Sequence, residues 1–118
     1  MSMHLTGSTR GLGILITGTN SAGAVVLDER PITKDPDDTD NPEETFSYLI
    51  QATNTSAADV VLTLEWGGTD ASNLIKKTIT KESGLATVIE GVTMTWPVTI
   101  KAYADAANAV VIYGEARN

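Results

Sequence analysis

Apolar and polar residues alternate with a period of two along most of this chain. Phe46, Tyr48, Ile50 and Ala52 alternate with Thr45, Ser47, Leu49 and Gln51, and Val60, Leu62, Leu64 and Trp66 alternate with Val61, Thr63 and Glu65. Successive side chains of a strand point to opposite faces, so each run predicts a strand with one buried face. The turn-forming stretch 53–58 lies between them, and the two read as an antiparallel hairpin. In the second run Trp66 continues the inward register of Leu62 and Leu64 and is expected in the core.

Shorter runs recur at 12–17, 24–27, 74–80, 85–90, 92–96, 98–103 and 109–115, separated by clusters of Gly, Asn, Asp and Ser. The first two read as a hairpin closed by the turn at 19–23. Gly91 divides the runs 85–90 and 92–96, and Pro97 marks a strand start or bend. Lys76 and Lys77 are adjacent within their run, as suits a sheet edge. Lys101 and the acidic residues near it form no obvious pattern of paired charges. About eight strands and no helix longer than a turn predict an all-β fold. Short strands between turns suit an antiparallel β-sandwich, jelly-roll-like, in which two sheets each bury one face. At 118 residues the chain is expected to form one such domain over 11–118, preceded by a flexible, polar N-terminal arm at 1–10.

One stretch departs from the pattern. Residues 28–44 hold 8 of the 15 acidic residues and three of the four prolines. Within it, 33–44 reads as an exposed acidic, Pro-rich loop. Its Asp35, Asp37, Asp38, Asp40, Asn41, Glu43 and Glu44 carry the hard oxygens that calcium favours, but their spacing lacks the twelve-residue helix-flanked pattern and its turn glycine. No metal is expected there. The loop reads as solvated, or as a contact for a partner's basic surface.

The remaining chemistry is defined by what is missing. Without cysteine, disulfides, thiolate nucleophiles and zinc-thiolate sites are excluded. His4 is the only histidine, which removes most metalloenzyme and Ser-His hydrolase designs. No GxSxG, HExxH, phosphate-loop or dinucleotide pattern occurs, so neither an enzyme nor a cofactor is expected. A formal charge of -7 repels phosphate backbones and anionic lipid, so neither nucleic acid nor membrane is an expected partner. The first ten residues have no apolar core of the kind a signal peptide needs. Asn54-Thr55-Ser56 is a formal glycosylation acceptor that reads as a turn. Trp96, Tyr103 and Tyr113 are the aromatics whose register leaves room for exposure, and a sugar platform would be built from them.

The stretches 46–58, 60–66, 91–102 and 108–114, with their Asn-Thr-Ser turn and a late strand, Ala/Asn turn, strand hairpin, resemble small β-sandwich virion proteins of tailed bacteriophages. The resemblance spans about 45–115. It implies a structural role: a capsid decoration (cement) protein bound to the major capsid protein, or a neck or tail accessory part. It also implies a location in the virion after synthesis in the host cytoplasm, and a homo-oligomer, with a trimer favoured. The partner contacts expected from this sequence are His4 and Arg10 in the arm, and Asp35, Asp37, Asp38, Asp40, Glu43 and Glu44 in the acidic loop. A carbohydrate-binding module of a receptor-binding appendage is the alternative.

Overall fold

The computed structural model describes residues 2–30, 45–95 and 97–118. The strands are β1 (Ser2–His4), β2 (Ile14–Leu15), β3 (Val25–Arg30), β4 (Thr45–Asn54), β5 (Val60–Trp66), β6 (Leu74–Ile79), β7 (Ala86–Thr95), β8 (Val98–Ala104) and β9 (Val110–Arg117). Single 3₁₀ turns at Ser21–Gly23 and Ala71–Asn73 are the only helical pieces among the described residues. None is long and apolar enough to cross a membrane.

The strands form two antiparallel sheets. The first runs β1-β9-β4-β7, with β2 also on β9; the second runs β3-β8-β5-β6. One side of β9 is taken by β4 along its whole length, so β1 and β2 share the other side as two pieces of one edge strand. Counted so, eight strand positions pair first with last, second with second-last, and so on inward. That nested order is the jelly roll. The expected all-β sandwich is therefore what the structure shows.

Alternation identifies the inner face correctly. Phe46, Tyr48, Ile50 and Ala52 of the first sheet meet Val60, Leu62, Leu64, Ile100 and Ala102 of the second across one core. Trp66 packs at its margin, half-buried, its ring edge-on to Tyr48 with centroids 5.4 Å apart. The Lys76–Lys77 run is the outer strand of the second sheet, where the ammonium groups discourage pairing with another chain.

Partnerships differ from the expected ones. β4 and β5 are not a hairpin: β4 pairs with β7 and β9, whereas β5 pairs with β6 and β8 in the opposite sheet. The link between them is an arch. Asn54 holds it from inside, donating to the carbonyls of Ala58 and Ile79 and accepting from the Ser56 amide and hydroxyl. With Asn54 1% exposed, its amide is consumed by these bonds and the tripeptide is a turn, not an open acceptor. The 12–17 and 24–27 runs also separate, β2 to β9 and β3 to β8. So do β8 and β9, which removes the late hairpin. The 85–90 and 92–95 runs are one strand, β7. Gly91 sits in it at φ +78 where the register with β4 slips, a bulge that a left-handed residue makes without ending the strand.

The N-terminal residues are not a free arm. Ser2–His4 pairs with β9, and Leu5 is 1% exposed in the core. The chain then crosses to the second sheet, where the Gly7 amide donates to the Leu27 carbonyl at 2.9 Å. A Cβ on Gly7 would lie 2.2 Å from the Val26 carbonyl oxygen, so only glycine passes there. This segment joins the edges of the two sheets on one side of the sandwich.

Candidate functional site

Three places in the described residues gather polar or exposed apolar chemistry. The first is buried. β3 bulges between Val26 and Asp28, which puts two successive side chains, Leu27 and Asp28, inside, both at 0% exposure. The Asp28 carboxylate accepts from Arg30 Nε at 2.8 Å, from the Tyr48 hydroxyl and from the Thr6 amide at 2.8 Å. Arg30 also donates to the His4 carbonyl and lies 4.8 Å from the centre of the Phe46 ring. Burial alone pulls the Arg30 guanidinium down, but the hydrogen bond and charge of Asp28 outweigh it and hold it above its usual value. The Tyr48 phenol is pushed well above its usual value, first by burial and then by Asp28. Donors from Thr6, Arg30 and Tyr48 meet on this one carboxylate, so the group fastens the N-terminal crossing to β3 and β4.

The second place is the outer face of the first sheet at its β1/β2 edge. β9 turns Val111, Tyr113 and Glu115 outward, while Ile112 and Ala116 are buried. Leu15 is the partner of Val111 in register, and Gly13 lies against the Val111 and Tyr113 side chains. Leu12, Leu15 and Tyr113 are left 58%, 44% and 39% exposed, and no described element covers them. The His4 ring packs against Gly11, one residue from Arg10, which is itself in the left-handed region at φ 54. The fold thus brings the expected contact residues His4 and Arg10 to the same edge as Tyr113, beside leucines that were not singled out. Further along this face a shallow groove runs past Ser47, Leu49, Glu90, Glu115 and Arg117. The Ser2 hydroxyl, and after it the charge of Arg117, hold Glu115 below its usual value.

The third place is the outer face of the second sheet. Glu65 and Lys101 are partners in register on β5 and β8. They line a cleft of about 140 Å³ with Ser21, Gly67, Gly68, Thr69 and Thr99. Glu65 is 3% exposed although it points away from the core, because the 3₁₀ turn at Ser21–Gly23 lies over the sheet and the Ser21 hydroxyl donates to its Oε2 at 2.6 Å.

Tyr103 and Tyr113 do not share a face for an aromatic platform. Tyr103 is half-buried on the outer face of the second sheet, and Tyr113 is on the outer face of the first, with the core between them. Trp96 lies outside the described residues, as do Asp35, Asp37, Asp38, Asp40, Glu43 and Glu44. Among the described residues no group of three metal-ligating side chains occurs.

Sequence reasoning passed over Asp28, Arg30 and Glu65. A signal existed for the first, since an acid directly after Val25, Val26 and Leu27 is unusual in a strand. For Glu65 none existed, because its cover arrives from a turn more than forty residues away. Comparison with protein-family models, curated proteins and solved structures returns no match for this chain.

Proposed function

We propose that this protein is a non-enzymatic structural component of a tailed-phage virion, a decoration protein that binds the major capsid protein through the β1/β2 edge of its first sheet. The observation that carries the reading is the exposed Leu15 and Tyr113 beside Val111, with Leu12 also open to solvent just before Gly13, which lies against Val111 and Tyr113. Exposed apolar groups that adjoin one another, unlike scattered ones, mark a contact surface. His4 and Arg10 at its rim supply polar contacts that orient a partner. The short edge strand offers free backbone groups, so a partner's strand can extend the sheet.

The resemblance to virion β-sandwich proteins supports the capsid as the partner. Its late hairpin is absent, and its shared strand-and-turn pattern is the part that remains. A trimer around a local threefold axis is the assembly that fits this role. Carriage on the virion, after synthesis in the host cytoplasm, follows from the same reading. A neck or tail position would use the same face.

Light scattering after size-exclusion chromatography, over a range of concentrations, should give a trimer. Co-sedimentation with tailed-phage capsid shells should show saturable adsorption and raise the shells' resistance to heat. The double variant Leu12→Glu, Leu15→Glu alters exposed positions, so its folding stability should stay within about 0.5 kcal/mol of the parent. It should lose adsorption. A folded double variant that still binds shells as the parent does excludes this face, and absence of binding by the parent excludes the decoration role.

A further inference from the structure

We infer that the cleft between Glu65 and Lys101 binds a neutral polyhydroxylated ligand the size of one sugar ring. This site is on the opposite sheet from the proposed docking face and does not depend on it.

Four observations lead there. Glu65 is a 97% buried carboxylate, given its 3% exposure, and it lines an open cleft. One of its oxygens accepts from Ser21, and among the described residues no donor is placed on the other. A buried acceptor left without a donor is costly, so the cleft favours a ligand that brings one. Lys101, although the register partner of Glu65, forms no ion pair with it among the described residues. A donor and an acceptor therefore share the cleft without satisfying each other. The side chains of Ser21, Thr69 and Thr99 make the rest of the lining hydroxyl-rich, with the bare backbone of Gly67 at φ +86.

The chemistry selects among ligands. A hydroxyl both donates and accepts, so neighbouring hydroxyls on one ligand serve Glu65 and Lys101 together. An ammonium ligand would meet the Lys101 cation in the same cleft. An anion would meet Glu65 and a chain of net charge -7. An aromatic ligand finds no ring in the lining. At about 140 Å³ the cleft is far below the roughly 300–1,000 Å³ of drug-sized sites, which limits the ligand to a single ring.

The test is a titration of the ¹⁵N-labelled full chain with D-glucose, D-galactose and D-mannose, followed through backbone amide shifts. At least one sugar should give saturable shifts at Gly67, Gly68 and Thr69 in the millimolar range, as expected for so few contacts. Lys101→Met removes the donor on a partly exposed side chain, and Glu65→Gln keeps the shape and the Ser21 contact. Each should weaken binding about tenfold, or about 1.4 kcal/mol, with the thermal midpoint of Lys101→Met unchanged. The Leu12→Glu, Leu15→Glu variant should bind the sugar as the parent does, which separates this site from the docking face. The proposal is overturned if none of the three sugars gives saturable shifts at these amides. It is also overturned if the shifts persist undiminished in both cleft variants, or if glycine or inorganic phosphate occupies the cleft in place of the sugars.

Discussion

Asp28 shows how much one residue can organise. An acid with no exposure survives in an apolar core only when its oxygens are fully engaged, and here three donors from three parts of the chain converge on it. Removing one partner of such a buried pair typically costs about 3–5 kcal/mol, because the other charge is stranded. The same group imposes a pH dependence. The Tyr48 phenol is held above its ordinary value by burial and by Asp28, so the folded state keeps a proton that the unfolded state releases. With the folded value raised, this contribution to stability is complete below the unfolded value near pH 10. It is lost as pH rises further. Urea unfolding between pH 9 and 11.5, a range chosen around that value, should show stability falling on the alkaline side. In Tyr48→Phe this fall should be visibly shallower although the variant is less stable at neutral pH. An equally steep fall in the variant would assign the alkaline limb to other groups.

At the scale of elements, the sheet edges differ in what they offer to another chain. β6 carries Lys76 and Lys77, β3 is bridged by Thr6 and Gly7, and β1 and β2 are two short pieces. Among the described strands only β7 is a long edge, and its bulge at Gly91 interrupts the regular ladder that another strand would need. Nothing lies within 4 Å of a Cβ built on Gly91, so alanine there meets no steric obstacle. Its cost is that of placing an L-residue at φ +78, about 1–2 kcal/mol. Gly91→Ala should therefore lower the urea-derived stability by that amount while leaving the circular dichroism spectrum unchanged. No loss of stability would mean the bulge relaxes into a regular ladder. The runs on either side of Gly91 were legible as β structure from their composition. Their union in one strand was not, because a glycine that ends a strand and one that bulges it look alike in sequence.

The N-terminal segment acts at the scale of the whole molecule. Its composition, rich in Ser, Thr and Gly, reads as a loose arm, yet Leu5 anchors it in the core and Ser2–His4 extends the first sheet. Met3 and Leu5 do alternate with Ser2, His4 and Thr6, but so short a run beside a Gly, Ser and Thr stretch does not stand out, and its pairing depends on β9, more than a hundred residues later. Leu5→Ala should cost about 2–5 kcal/mol in urea unfolding, as large-to-small core replacements do. A change under about 0.5 kcal/mol would restore the picture of a free arm. The same contrast runs through the candidate sites. His4, Arg10 and Tyr113 stood out in the sequence, but only the register of β1 and β2 on β9 brings them to one edge with Leu12 and Leu15.

Local pattern determined the class of fold, the inner face of the main strands, the turns that separate them and the charged edge at Lys76–Lys77. All of these depend on periodicity and backbone preference over a few residues, which a chain carries with it. Tertiary structure alone decided which strands pair. A two-residue period states which side of a strand is buried and leaves its neighbours open, so the arch at 55–59 and a hairpin loop of that length are written alike. It also decided that Tyr103 and Tyr113 face away from each other and that Asp28 is enclosed. It decided, too, that Glu65 and Lys101 share a cleft. Each of these depends on groups distant in sequence and adjacent only after the sheets have closed on one another.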